Sequence, residues 1–220
     1  MRILLTGGTG FIGSHTAVEM AQNGHDIVIL DNYSNSDESV LGRLEKIIGK
    51  PVVFEEGDIR DFDRLYEVLQ KHRIEAVVHF AGLKAVGESC AMPIEYFDNN
   101  VAGTVTLLRA MKAVNIKKLI FSSSATVYGV PQYLPLDENH PLSSTNPYGR
   151  TKLHIEEILQ DVAASDPEWS IVCLRYFNPI GAHASGLIGE NPRGIPNNLL
   201  PYVARVANGQ LQAVQVFGSD

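Results

Sequence analysis

Short, nearly unbroken apolar runs alternate along the chain with longer segments whose apolar residues recur every three or four positions. The short runs, rich in Val, Ile and Leu, lie at Arg2–Thr6, Asp26–Leu30, Val52–Glu55, Ala76–Phe80, Lys118–Ser122 and Ser170–Arg175. Runs of this kind are typical of strands covered on both faces. Between them the 3.6-residue period predicts helices over Phe11–Asn23, Asp37–Ile48, Asp61–His72, Pro93–Val114 and Pro147–Ala164, with Leu65, Val68 and Leu69 marking one apolar face. Strand and helix in regular alternation require right-handed crossovers, so the pattern predicts an α/β fold built on a doubly wound parallel sheet. No short-period repeat or low-complexity segment interrupts it.

Two stretches break the rhythm, Gly129–Pro147 with four prolines and Asn178–Pro201 with four glycines and four prolines. Each follows the carboxyl end of a predicted strand, where open α/β sheets bind their ligands. They divide the chain into an expected domain over 1–177 and, over 178–220, the beginning of a smaller substrate-binding region that caps it. The chain stops at Phe217-Gly218-Ser219-Asp220, abruptly for such a region.

Composition narrows the function classes. With 45% hydrophobic and 20% charged residues the chain is not disordered. Lys and Arg number 18 against 25 Asp and Glu, with no basic block, which argues against nucleic acid and anionic membrane surfaces. Cys90 and Cys173 stand far apart and no His-x-x-x-His pair occurs, so neither a disulfide framework nor a metal site is expected. The short apolar start lacks the features of a signal peptide, and no run reaches the roughly 18 apolar residues of a membrane span. The expectation is a soluble, cytoplasmic protein.

The chemistry begins with Gly7-Gly8-Thr9-Gly10-Phe11-Ile12-Gly13, between the first strand and the first helix. Gly7 permits a tight turn, Gly10 lets a pyrophosphate approach the backbone, and Gly13 lets helix pack on sheet, so the fold expected is of the Rossmann type and the ligand a dinucleotide. Asp31 closes the second strand, where a carboxylate can bond the ribose 2′-hydroxyl, and no Lys or Arg follows until Arg43. A 2′-phosphate would meet a carboxylate without a nearby cation, which favours NAD over NADP. A strand-ending Asp can also simply cap a turn, and Gly57-Asp58 serves turn chemistry as well as it would an adenine edge.

Tyr148 and Lys152, four apart at the start of a predicted helix, project from one face. A phenol needs help to act as a base at neutral pH, and a neighbouring ammonium with a cationic nicotinamide ring would lower its pKa. Ser124, just past the fifth strand, can bond the same substrate hydroxyl.

The motifs that accompany these residues carry a resemblance. They are Thr6–His15, Phe80-Ala81-Gly82-Leu83-Lys84-Ala85-Val86-Gly87-Glu88-Ser89, Asp98-Asn99-Asn100, Ser122-Ser123-Ser124-Ala125-Thr126-Val127-Tyr128-Gly129, Arg175-Tyr176-Phe177-Asn178-Pro179 and Gly194-Ile195-Pro196-Asn197-Asn198-Leu199. Across the whole chain the sequence resembles the extended short-chain dehydrogenase/reductase family, and within it the branch that epimerises UDP-hexoses at C4. The resemblance implies Tyr148 as general base, Lys152 as its electrostatic and ribose-binding partner, and Ser124 as the hydroxyl that positions the sugar. It places Gly7, Gly10, Phe11, Ile12, Gly13, Asp31, Asn32, Asp58, Ile59, Phe80, Ala81, Lys84, Asn99, Ser122 and Tyr176 at NAD-contact positions. Asn178, Asn198, Leu199 and Phe217 fall at positions that hold the UDP-sugar.

The implied reaction interconverts UDP-galactose and UDP-glucose. Tyr148 takes the 4-hydroxyl proton while C4 gives hydride to NAD⁺, the 4-keto sugar turns over, and hydride returns to its other face. Lys84 and Lys152 would place positive charge in the site, suited to a pyrophosphate and a phenolate. The resemblance further implies bound NAD, a homodimer formed through helices near 93–114 and 148–164, and a capping segment continuing beyond Asp220 that completes the substrate pocket.

Related dehydratases carry Thr followed by an Asp-Glu pair at the Ser124 position, whereas this chain has Ser124-Ala125-Thr126. Elimination would lack its acid, which favours epimerisation; decarboxylating or 4-keto-reducing relatives are less firmly separated. A second class is an NAD-binding protein with little activity. Other features read as structural: His79 as a satisfied core residue, Glu156 and Glu157 on a solvated or dimer-facing surface, Trp169 as packing. Tyr96, Phe97 and Tyr128 either border the site or pack in the core or an interface.

Overall fold

The computed structural model describes residues 1–192, 196, 198–216 and 218. Strands β1 (Arg2–Thr6), β2 (Asp26–Asp31), β3 (Val53–Glu56), β4 (Ala76–His79), β5 (Lys118–Ser122) and β6 (Ser170–Leu174) form one sheet in the order β3-β2-β1-β4-β5-β6. All five pairings are parallel, with Leu5 beside Ile29 and Val78, and Phe121 beside Cys173. Every carboxyl end therefore opens on one edge. The strand order reverses between β1 and β4, the switch point at which such sheets leave a crevice.

Successive strand residues point to opposite faces, and both faces are covered. Leu4, Val28, Leu30, Val77, Leu119 and Phe121 bury against helices α3 (Phe62–Lys71), α6 (Gly103–Ala113) and α7 (Pro147–Ser165), through residues such as Leu65, Leu107, Met111, Ile155 and Leu159. Ile3, Leu5, Ile27, Ile29 and Val78 bury against α1 (Phe11–Gln22) and α2 (Ser39–Ile48) through Ala17, Val18 and Leu44. Each fully buried Leu or Ile contributes about 1.5–3 kcal/mol, so these two layers hold the sheet edge, and hence the site, in place. Ile188, from the loop after β6, is buried in the same layer as Leu44.

The predicted strands and most helices are present, with ends displaced by a residue or two. Pro93–Val114, expected as one helix, is broken into α5 (Pro93–Tyr96), a π-helical segment (Phe97–Ala102) and α6. The wide turn seats Asn100, whose side chain accepts from Leu83 N at 2.8 Å and donates to Leu83 O at 3.0 Å and Thr151 Oγ1 at 3.1 Å. An apolar period that survives such a bulge does not reveal it. Three short elements lie where no helix was expected: α4 (Val86–Ala91), a 3₁₀ turn (Ala125–Tyr128) and α8 (Leu199–Ala207). Among the described residues no helix is long and apolar enough to cross a membrane, and no group of His, Cys, Asp and Glu is arranged to hold a metal ion.

Candidate active site

The glycine turn leaves β1 with Gly7 at φ +68°, its N–H bonded to Leu30 O at 2.8 Å. A Cβ on Gly7 would lie 2.6 Å from Ala81 N, and one on Gly13 only 2.4 Å from Gly7 O. Backbone is thus packed on backbone, and Gly10 caps α1 without a side chain. Gly10, Phe11, Ile12 and Gly13 line the open cleft, so the positive end of the helix faces it. This cradle, which any side chain would fill, fits a dinucleotide pyrophosphate.

The cleft, about 980 Å³, runs along the carboxyl edge of the sheet. Gly7, Asp31, Asn32, Ile59, Phe80, Ala81, Lys84, Asn99, Ser122, Ser124, Tyr148, Lys152, Tyr176, Asn178 and Asn198 all line it beside the turn. Two expected contacts do not. Asp58 is instead bonded to its neighbours, accepting Arg60 Nε at 3.0 Å and Asn32 Nδ2 at 3.2 Å, which holds its carboxyl below the ordinary range. Leu199 opens α8 with its side chain largely exposed. Phe217 lies outside the described residues.

At the other end of the cleft, Asn146 caps α7 by accepting Gly149 N at 2.8 Å, which sets Tyr148 in the first turn. Lys152, one turn on, is buried; its ammonium donates to Ser122 O at 2.7 Å and sits 4.8 Å from the Phe121 ring centroid and 6.0 Å from that of Tyr148. Burial pulls the Lys152 ammonium down to about 8, opposed by the Glu156 carboxylate. Ser124 opens the 3₁₀ turn, accepting Thr126 N at 3.2 Å and Thr126 Oγ1 at 3.0 Å, and its hydroxyl lies near enough to Tyr148 to act on the phenol. The expected lowering of the phenol is not found in the chain alone: burial raises Tyr148, and the nearby Ser124 hydroxyl only partly opposes it. Two hydroxyls, an ammonium and a carbonyl thus line the same cleft, a set that can hold and move a proton on a sugar hydroxyl.

Residues 3–220 match a family described as the NAD dependent epimerase/dehydratase family. The chain belongs to that family. It is 56% identical over 220 residues to the UDP-glucose 4-epimerase of Bacillus subtilis, covering 100% of this chain and 65% of that protein. A UDP-glucose 4-epimerase from Bifidobacterium longum, solved in complex with NAD⁺ and UDP, superposes with a TM-score of 0.96 at 56% identity, covering 99% of this chain and 65% of that one. One from Stenotrophomonas maltophila, with bound NAD and formylated UDP-arabinopyranose, gives 0.97 at 52% identity over the same shares. The chain spans about 65% of the length of these relatives.

Within this epimerase/dehydratase-family chain, several residues that line the cleft were not singled out from the sequence. Glu190 faces Lys84 at 3.4 Å and accepts Asn198 Nδ2 at 2.6 Å. Arg205, on α8, donates to Pro192 O at 2.9 Å, and Arg43 reaches Leu187 O at 3.4 Å. Glu190 lies in a loop without a period, and the helical periods that hold Arg43 and Arg205 do not reveal that they reach the cleft.

Glu156 is the clearest correction. Expected on a surface, it is 1% exposed and accepts from Ser123 Oγ and from Arg175, at 3.1 Å from Nε and 2.7 Å from Nη2. Glu157 beside it is exposed, and only spacing tells them apart: Glu156 lies one turn beyond Lys152 on the same face. His79 is the satisfied core residue expected, and Tyr96 and Tyr128 are buried. Trp169 packs against the core just ahead of β6.

Proposed function

We propose that the chain is an NAD-dependent epimerase that inverts C4 of a UDP-hexose, interconverting UDP-galactose and UDP-glucose. The observation that carries this reading is the convergence of Ser124, Tyr148 and Lys152 at the far end of a cleft that begins at the Gly7–Gly13 turn. The likeness to UDP-glucose 4-epimerases over the whole chain supports it.

The turn residues, with Asp31, Asn32, Ile59, Phe80, Ala81, Lys84, Asn99, Ser122 and Tyr176, would hold NAD; Asp58 would act through Asn32. When bound, NAD supplies a hydride acceptor for C4 that later gives the hydride back. Tyr148 accepts the proton of the 4-hydroxyl through its phenolic oxygen and returns it after the sugar has turned. Ser124, near the Tyr148 phenol, aligns that hydroxyl. Lys152, fixed on Ser122 O, places positive charge beside the phenol and favours its ionised form. Asn178 and Asn198 would bind the UDP-sugar, with Leu199 and Phe217 as its further contacts.

Ala125 and Thr126 follow Ser124 where a dehydratase would place its acid pair, which favours epimerisation over elimination. We further propose that 1–177 forms the cofactor domain and 178–220 the start of the substrate-binding region, and that the protein is cytoplasmic. A homodimer would form through residues near 93–114 and 148–164, where Ile94 and Val105 are exposed. The test is to incubate the purified protein with UDP-galactose, without added nucleotide, and separate the UDP-sugars by chromatography. UDP-glucose is expected; unchanged UDP-galactose, even with NAD supplied, would overturn the reading.

A further inference from the structure

One buried carboxylate joins the three segments that carry the site. Glu156, on α7 one turn beyond Lys152, accepts from Ser123 Oγ in the segment that carries Ser122 and Ser124. It also accepts from Arg175, at 3.1 and 3.2 Å through Nε and 2.7 Å through Nη2, in the segment that carries Tyr176. A further bond links the last two segments directly, from Ala125 N to Tyr176 O at 2.7 Å. Beneath them Arg175 lies 5.0 Å from the centroid of the Tyr128 ring and donates to its hydroxyl at 3.3 Å.

A charged pair in this position is costly to keep for stability alone, since well-packed apolar residues often serve as well. Its placement suggests another use. We propose that Glu156 is a positioning residue of the site: its charge keeps the Lys152 ammonium protonated, and its bonds hold Ser124 and Tyr176 in register with Tyr148. The inference rests on the function proposed above.

Lys152 is buried against the Phe121 ring and, among the described residues, donates a hydrogen bond to no carboxylate. Glu156 is the negative charge that acts on it, and burial alone would favour the neutral amine. Of the other titratable groups on elements packed against α7, Cys90 on α4 and Glu95 on α5 are exposed. Glu88 is bonded to Tyr96, Asp98 is paired with Arg60, Tyr128 lies under Arg175, and Cys173 is held as a thiol by burial and by Glu156 itself. His79, from β4, is neutral.

The test follows the Lys152 side-chain resonance with pH by NMR of protein carrying ¹³C-lysine, the signal being assigned by its loss in Lys152→Met. In the parent the midpoint is expected near 8. In Glu156→Gln, which keeps shape and leaves Arg175 uncompensated, it should fall by about one unit. In Arg175→Met, which leaves Glu156 uncompensated, it should rise. Opposite shifts from two variants that both weaken the fold would not come from a merely structural role. Above the midpoint, one unit is about a tenfold loss of the ammonium form, so kcat for UDP-galactose in Glu156→Gln should fall about tenfold there, with KM little changed.

An unmoved midpoint in either folded variant, or shifts of the same sign in both, overturns the inference. A parent without epimerase activity but with the opposite shifts would overturn the function and leave this role of Glu156 standing. If one variant does not fold, the sign of the other's shift decides.

Discussion

Asp31 Oδ2 accepts the Thr9 N–H at 3.1 Å, so the acidic end of β2 is clamped to the glycine-rich turn across the mouth of the cleft. The same carboxylate accepts Tyr33 N at 2.9 Å through Oδ1. The two uses that the sequence left open, capping a turn and facing the cofactor, are therefore compatible. Asp31 caps the turns on either side of it and still lines the cleft. Replacing it with Ala removes a charged hydrogen-bond acceptor worth about 1.5–3 kcal/mol. NAD affinity, measured by calorimetric titration, should fall about tenfold or more, and the preference for NAD over NADP should narrow. Equal affinity of the parent for NAD and NADP would contradict this role.

Gly13→Ala tests the cradle. The new methyl would meet Gly7 O at 2.4 Å and Gly8 Cα at 2.8 Å, both backbone atoms that cannot swing aside. We expect a loss of about 1–3 kcal/mol in urea unfolding and loss of measurable NAD binding. Gly24→Ala is a control only for crowding, since its Cβ would meet nothing although φ is +81°. That variant should keep full NAD binding despite its backbone strain.

Tyr148→Phe removes the phenolic oxygen and leaves the ring in place. Folding and NAD binding should be retained while kcat falls about 10²-fold or more. Circular dichroism, NAD titration and the UDP-galactose assay together check this, and unchanged turnover would remove Tyr148 from its role.

His79 should make the fold acid-sensitive. Thr104 donates its hydroxyl to Asn100 O at 2.6 Å, so at its 3.0 Å contact with His79 Nε2 it accepts. Nδ1 is then left to accept from Thr6 Oγ1 at 2.6 Å, which is the neutral ring. Burial, with Lys152 adding to it, pulls the imidazole from 6.5 to about 3. Below pH 6.5 the unfolded chain binds a proton that the folded chain refuses. Stability is therefore full above that pH and falls as pH drops toward about 3. Glu55, held down to about 2 by its bonds to Lys71, His72 and Arg64, adds its own loss only below about 4.5. Urea unfolding between pH 6.5 and 4.5 should thus show a slope that His79→Gln flattens.

How much of the fold and the site was legible in the sequence follows from which signals are local. The strands, the glycine turn and the Tyr148/Lys152 pair were readable because each depends on spacing within one element. The π segment at Phe97–Ala102 was not, since Asn100 is drawn by Leu83 and Thr151, far away along the chain. Glu156 was misplaced for a related reason: its partners Ser123 and Arg175 sit on two other strand ends, and a lone Glu pair on a helix reads as surface. Glu190 lies in a loop and Arg205 on the short α8, and their course beside the cleft is set by tertiary contacts such as the burial of Ile188 in the second core layer. Leu199 and Asp58 were carried over by motif, and motif position alone did not place their side chains in the cleft.

The most direct test of the central claim is to supply UDP-galactose carrying deuterium at C4 and follow the label by NMR and mass spectrometry. If C4 is oxidised by hydride removal and reduced by return of the same hydride, the UDP-glucose formed keeps the deuterium at C4 and none passes to water. Replacement of the label by solvent hydrogen would contradict hydride transfer, and with it the proposed roles of Tyr148, Lys152 and Ser124.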